Sequence, residues 1–360
     1  MPPSPYSPLF ELTRARIVES VHYGAVAVVD GQGQIIASYG DPYAVTYMRS
    51  SAKPLQALPF VEEGGQTHFH LTLREIALIC ASHAGTDEHV EVVKSIQEKT
   101  GVAESDLLCG IHPLSHKPTD TALRQRGEKL TPNRHNCSGK HTGMLAFARM
   151  LNLPTSNYID PEHPVQVKIH SAISELCGLP PERIAVGIDG CSAPNFATPL
   201  YNAALAVARL CDPENALPRF TRSRLAACHT ITQAMLAYPD MVGGPNSFDT
   251  HLMTAAQGRM LAKAGAEGYQ VIGLMPGVYS PGSPGLGIAY KISDGDLKAR
   301  YAGEAMGLVR PAVALEILRQ LGVLTPEMSD ALTSYGPEFS LYNWRKLLVG
   351  QGRPCFELQH

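Results

Sequence analysis

Tyr47-Met48-Arg49-Ser50-Ser51-Ala52-Lys53-Pro54-Leu55-Gln56-Ala57-Leu58 reads as the mouth of a helix. Pro54 is tolerated only in a helical first turn, where its missing N–H costs nothing. That makes Ser50 or Ser51 the expected N-cap. Residues three apart share a helical face, so Lys53 can reach back to the Ser50 hydroxyl. A neutral amine there could take the serine proton, and the exposed N–H groups of the helix start could hold an oxyanion. Such a serine–lysine step serves as the nucleophile of penicillin-binding proteins and related amidohydrolases. The plain alternative is a solvated Lys53 with Ser50 as a cap.

Outward from this helix, the chain alternates between two kinds of pattern. Before it, Ile17–His22, Ala25–Val29 and Gln34–Ser38 read as strands, with a turn at Asp30-Gly31-Gln32-Gly33. After it, helical periodicity dominates: Leu73–Cys80, His89–Thr100, His141–Leu151, Pro161–Cys177, Leu200–Cys211 and Arg222–Tyr238. Arg183–Ile188 looks like a lone strand within this region. From Gly268 strands return at Tyr269–Leu274, Gly285–Lys291 and Lys298–Tyr301, followed by a helix from about Val309 to Leu321. Terminal strands around a helical middle imply an α+β fold, with one antiparallel sheet built from both chain ends. The expected organisation is a single catalytic domain of two lobes, a sheet lobe over about 10–48 and 268–355 and a mostly helical lobe over about 49–267.

Composition bounds the function. The 360 residues are 44% hydrophobic and 18% charged, an ordinary globular balance, and the net charge of −3 gives no footprint for nucleic acid or a membrane surface. No apolar run approaches the ~20 residues that span a bilayer. The start, Met-Pro-Pro-Ser-Pro-Tyr-Ser-Pro, reads as a loose arm and lacks the basic and apolar regions of a secretory signal. Eight irregularly spaced cysteines in so long a chain fit reduced thiols in a cytoplasm better than a disulfide framework.

Other segments offer chemistry. Ser82, in Cys80-Ala81-Ser82-His83-Ala84-Gly85, ends an apolar helical run where a hydroxyl could line a cleft or cap a helix. Cys137, in Asn136-Cys137-Ser138-Gly139-Lys140-His141, and Cys191, in Gly187-Ile188-Asp189-Gly190-Cys191-Ser192, stand in glycine-bearing loops at element ends. Two thiolates converging from such loops would suit zinc. Of the histidines, His112 and His116 are four apart, but Pro113 between them argues against a shared helical face. Asp249 reads as the N-cap of a helix running to Lys263, with Gly265 as its C′ residue. The triplet Lys99-Thr100-Gly101 matches a β-lactamase motif, but at a helix end, where chance explains it better.

Together these segments resemble the asparaginase II family, the rhizobial-type L-asparaginases. The resemblance runs over nearly the whole chain, through Val18–His22, Arg49–Pro54, Ser82–Gly85, Cys109–Pro113, Asn136–His141, Gly187–Ser192 and Lys263–Gly268. It implies a serine β-lactamase/glutaminase-like fold, hydrolysis of L-asparagine to L-aspartate and ammonia, and a homodimer. It carries over two serine–lysine pairs, Ser50 with Lys53 and Ser82 with Lys263, and a zinc site at Cys137, Lys140 and Cys191. Arg49, His83, His141, Asp189 and Asp249 are the implied substrate-binding residues. The sequence departs from the family pattern at Asp249, where some members carry a third cysteine, and at Ser247, where a basic residue is expected. The rival expectations are a glutaminase or penicillin-recognising amidohydrolase on the same fold, and a non-catalytic ligand sensor.

Overall fold

The computed structural model describes residues 4–295 and 308–360; the strand expected at Lys298–Tyr301 lies outside them. Its strands are β1 (Ser7–Arg14), β2 (Ile17–Asp30), β3 (Ile35–Tyr39), β4 (Val45–Tyr47), β5 (Ala185–Ile188), β6 (Pro194–Pro199), β7 (Met260–Gly265), β8 (Tyr269–Leu274), β9 (Leu286–Ile292), β10 (Phe339–Tyr342) and β11 (Leu348–Pro354). Its helices are α1 (Lys53–Glu62), α2 (Gly65–His68), α3 (Leu73–Ile79), α4 (Asp87–Thr100), α5 (Lys117–Arg126), α6 (Ser138–Met150) and α7 (Pro164–Cys177). They continue with α8 (Leu200–Cys211), α9 (Arg222–Ala237), α10 (Pro239–Gly243), α11 (Phe248–Ala256), α12 (Val309–Gln320) and α13 (Pro326–Ala331). None is long and apolar enough to cross a membrane.

The chain forms two compact units. The first, Met1–Ser51 with Thr198–Leu217 and His251–His360, holds an antiparallel sheet in the order β10-β11-β1-β2-β9-β8-β7, with β3 also on β2. This is the α+β class, a sheet made from both chain ends. Strand β2 is long enough to pair β1 through its first half and both β3 and β9 through its second. Gly273 and Gly287 stand opposite each other on β8 and β9. A Cβ on Gly287 would lie 1.8 Å from the Ala204 carbonyl, and one on Gly273 would lie 2.2 Å from Cys211 Sγ. Bare backbone at this pair lets α8 lie close against the sheet. The proline-rich start is less of a loose arm than its composition implies, because β1 begins at Ser7 and Pro8 is accommodated beside an irregularity in the β1–β2 register.

The second unit, Ala52–Ala197 with Pro218–Thr250, is mostly helical. Helix α1 is buried from Lys53 to Val61 and packs on α6, α7 and α9. A helix buried all round forms a core rather than a surface element. Around it, α3 opens with the Thr72/Glu75 capping box and α4 with a reciprocal Thr86/His89 cap.

Three expectations are corrected. Neither Ser50 nor Ser51 caps α1: a 3-10 turn, Arg49–Ala52, precedes it, and the N-cap is Ala52 without a side-chain bond. The Ser51 hydroxyl instead donates back to Met48 O at 2.7 Å. The helix expected to start at an Asp249 cap and run to Lys263 is instead α11, Phe248–Ala256, with Asp249 inside its first turn, and Lys263 ends no helix. After α11 the chain turns through Gln257 and Gly258, both at positive φ, and Lys263 stands on β7 paired with Val271. The local pattern misled because Met260–Gly265 is buried throughout most of its length and so lacks strand alternation. Finally, Ala185–Ile188 is not a lone strand, since it pairs β6 from Ala185↔Ala197 to Ile188↔Pro194.

Candidate active site

The second unit gathers chemistry around Lys53. As the first residue of α1 it is 1% exposed, and a buried amine must find partners. Its Nζ lies 2.5 Å from Ala81 O, 3.2 Å from Asn136 O and 2.9 Å from Ser82 Oγ. Two carbonyls can take two N–H bonds of a neutral amine, leaving its lone pair towards the serine hydroxyl. The same geometry serves an ammonium that donates three times. The arrangement therefore holds either side of a proton transfer without moving.

Ser82 sits where α3 runs out and the chain turns at Gly85, φ 67°. Its backbone N–H donates to Val242 O at 2.9 Å, which ties this loop to the end of α10. A cleft of about 410 Å³ opens beside Ala84, lined also by Ser115, His116, Lys117, Asn246 and Ser247. The neighbouring His83 is 2% exposed and uses both ring nitrogens. Nδ1 accepts the Gly85 N–H at 3.1 Å and Nε2 donates to Ser138 Oγ at 2.8 Å, because that hydroxyl gives its own proton to Asn133 O. Burial, with His89 and Lys53 nearby, holds the ring well below its ordinary value and keeps it neutral. No nitrogen is left over for a substrate; His83 ties the Ser82 loop to the start of α6.

Ser50 and Arg49 belong to the first unit, in a turn where Arg49 takes φ 50°. A non-glycine residue in that region is strained, a feature common at functional turns. Lys263 belongs to the first unit too, 1% exposed on β7, with Nζ donating to Ala264 O at 3.0 Å. Of the two expected pairs, Ser50 and Lys263 thus belong to the first unit, and Lys53 and Ser82 to the second. Asp249, on α11 in the second unit, is 4% exposed.

A second cluster stands at the start of α6. Cys137 is its N-cap, Lys140 and His141 lie in its first turn, and all are buried. Cys191 and Asp189 arrive from the tight turn between β5 and β6, closed by Asp189 N to Ala193 O at 2.9 Å. Sulfur and carboxylate ligand atoms of Cys137, Asp189 and Cys191 all lie within 4.8 Å of one another, and Lys140 Nζ is 3.1 Å from Cys191 Sγ. The hydrogen bond with Cys191 holds the Cys137 thiol well below its ordinary value, against burial and with help from Lys53 and Lys140. The same bond raises Cys191. Burial disfavours the Lys140 charge, but the Cys191 and Cys137 sulfurs outweigh it and raise that amine. Two sulfurs, a carboxylate and an amine at this spacing fit a zinc ion, provided the amine sheds its proton as metal enters. Among the described residues this metal-suited group includes Asp189 and not Asp249.

Reasoning from sequence missed the histidines that shape these loops. His112 Nε2 accepts the Asn136 N–H and His135 Nδ1 accepts the Cys137 N–H, each at 3.0 Å. They fix the turn that offers Asn136 O to Lys53. Burial, and then His112, push His135 down to about 4, so its acceptor nitrogen stays free of a proton. Both lie in or beside quoted motifs, yet a ring serving a backbone N–H leaves no spacing signature.

The chain is an amidohydrolase: residues 10–354, nearly its whole length, match the model of a family of amide-cleaving enzymes. That family is L-asparaginase II, and the chain belongs to it. No curated protein matches the chain. Among solved structures it is similar to a probable glutaminase from Bacillus subtilis complexed with 6-diazo-5-oxo-L-norleucine, at 13% identity and TM-score 0.38 over 83% of this chain and 84% of that one. A Bacillus glutaminase in 4.3 M NaCl shows 14% identity and TM-score 0.38 over 83% and 91%. Likeness this distant carries no chemistry across.

Proposed function

We propose that the chain is an L-asparaginase that hydrolyses L-asparagine to L-aspartate and ammonia through a serine–lysine nucleophile. Family membership gives the amide class. The observation that supports the mechanism is Lys53, a buried amine held by two backbone carbonyls with the Ser82 hydroxyl 2.9 Å away, a contact that supports proton relay between Lys53 and Ser82 and not by itself the choice of Ser50 as nucleophile. In this reading Ser50 Oγ attacks the side-chain amide carbon and Lys53 accepts its proton. Backbone N–H groups at the turn into α1 hold the oxyanion. The C–N bond breaks as Ser82, with Lys263, passes a proton to the departing ammonia. Water then hydrolyses the aspartyl ester and restores Ser50. Arg49 and Asp249 are assigned to the substrate. Cys137, Lys140 and Cys191, with Asp189, would hold zinc, which when bound would orient the amino-acid end of the substrate. A cytoplasmic homodimer is part of the same reading.

Ammonia release from L-asparagine and L-glutamine, run beside hydrolysis of a chromogenic β-lactam, tests it. Turnover of asparagine well above both others is expected. Preference for glutamine or the β-lactam would reassign the substrate, and no turnover of any would favour a ligand sensor.

A further inference from the structure

Both carbonyls that accept from Lys53 are aimed from behind. A peptide group is planar and trans, so fixing its N–H fixes the opposite direction of its C=O. Ala81 O shares a peptide with the Ser82 N–H, which donates to Val242 O at 2.9 Å. Asn136 O shares one with the Cys137 N–H, and there the acceptor is a side chain, His135 Nδ1 at 3.0 Å. The preceding peptide is held in the same way. Its Asn136 N–H donates to His112 Nε2 at 3.0 Å, and its carbonyl, His135 O, accepts the Ser138 N–H at 2.9 Å. An amide N–H only donates and a carbonyl only accepts, so these contacts assign the ring protons. His112 Nδ1 lies 2.6 Å from Pro113 O and must carry its proton, which leaves Nε2 bare. His135 is the reverse, bare at Nδ1 and protonated at Nε2. The two rings meet edge-on at 67°, with centroids 4.2 Å apart.

We propose that His135 and His112 are positioning residues for turnover: as neutral rings of opposite tautomer they hold two successive peptides and so aim the Asn136 carbonyl at Lys53 Nζ, 3.2 Å away. Without that carbonyl the amine keeps only Ala81 O as a backbone acceptor, and nothing on the α6 side holds its lone pair towards the Ser82 hydroxyl. A reacting group displaced by ~1 Å can cost ~10²-fold in rate. The two histidines therefore act on the reaction through backbone, one peptide removed from Lys53. Their effect on turnover rests on the reading of Lys53 as a proton-transfer group; the tautomers and the peptide contacts do not.

The test uses the fact that the two rings accept through different nitrogens. An Asn side chain places its oxygen near the position of Nδ1, and a Gln side chain near that of Nε2. His135→Asn and His112→Gln should therefore keep most of the asparagine-dependent kcat. His135→Gln and His112→Asn should each lower kcat about tenfold or more, with a smaller change in KM. A role in packing alone would not give this crossed pattern. The same amide tolerated at both positions, or an unchanged kcat in folded His135→Gln and His112→Asn, overturns the proposal. Circular dichroism must show the variants folded; if either variant at 135 is not, the pair at 112 decides. Long-range ¹H–¹⁵N NMR of histidine-labelled wild type should show His112 protonated at Nδ1 and His135 at Nε2, and either ring reversed overturns the proposal whatever the kinetics. Retained kcat in Lys53→Met would sink the proton-transfer reading alone, and the peptide hold then stands or falls on the tautomers.

Discussion

At the scale of single residues, Lys53 is the centre of the account. Its burial is intelligible from sequence only as far as the serine three positions earlier. The two carbonyls that satisfy it, from Ala81 and Asn136, come from segments no local pattern connects. Lys53→Met should therefore lower kcat by about 10²–10⁴ with a smaller change in KM, as loss of a proton-transfer group does. Steady-state ammonia release measures it; a KM effect with kcat intact would make Lys53 a structural residue. The Cys137–Cys191 pair carries a different expectation. Because zinc is assigned to orientation, chelator-treated enzyme should show KM raised more than kcat is lowered, with activity restored by Zn²⁺. Full activity in chelator with no response to Zn²⁺ would leave Cys137, Lys140, Cys191 and Asp189 as structural groups.

At the scale of elements, helix starts and loop closures position the chemistry, and neutral histidines close several of them. His83 joins the Ser82 loop to α6, and His89 caps α4, its Nε2 donating to Asp240 O at 3.1 Å. The two rings stack 5.0 Å apart. Burial lowers both pKa values below the ordinary 6.5. The unfolded chain then binds more protons than the native state once pH drops below about 6.5, so stability rises with pH through that window. Their contribution is full above the unfolded value and is lost as pH falls towards the folded values. Calorimetry should record a falling Tm below about pH 6.5, and less so in His89→Gln; a flat profile from 7 down to 5 would contradict neutral burial. The same elements show what could be read in advance. Helix α1 was legible from Pro54, and α3, α4 and α6 to α9 from periodicity. Strand β7 was not, because a strand buried along most of its length shows no alternation, and Lys263 was misplaced with it. The Ser82 loop was visible as a break, but its ties to Val242 and Ser138 are long-range and left no trace in spacing.

At the scale of the whole chain, both ends contribute to one sheet, and this was legible because strand patterns cluster at the termini. The allotment of α8 was less so: an amphipathic helix in a helical stretch gives no sign that it belongs with a distant sheet, and only Gly273 and Gly287 mark where it lies. Strand β2 follows as the slowest-exchanging segment. Its second half is paired on both sides by β3 and β9, so its amides should open only with the sheet. Hydrogen-exchange mass spectrometry should find Val26–Val29 protected longer than the β10–β11 edge; the reverse order would contradict the pairing described. The central claim, that a serine paired with Lys53 is acylated by an amide substrate, is tested most directly by acid-quenched mass spectrometry during asparagine turnover. The account predicts an aspartyl ester on the peptide that carries Ser50, absent in Ser50→Ala and still formed, more slowly, in Ser82→Ala. An ester on Ser82 with Ser50 unmodified would reverse the two roles, and asparagine turnover with no ester in either protein would contradict covalent catalysis.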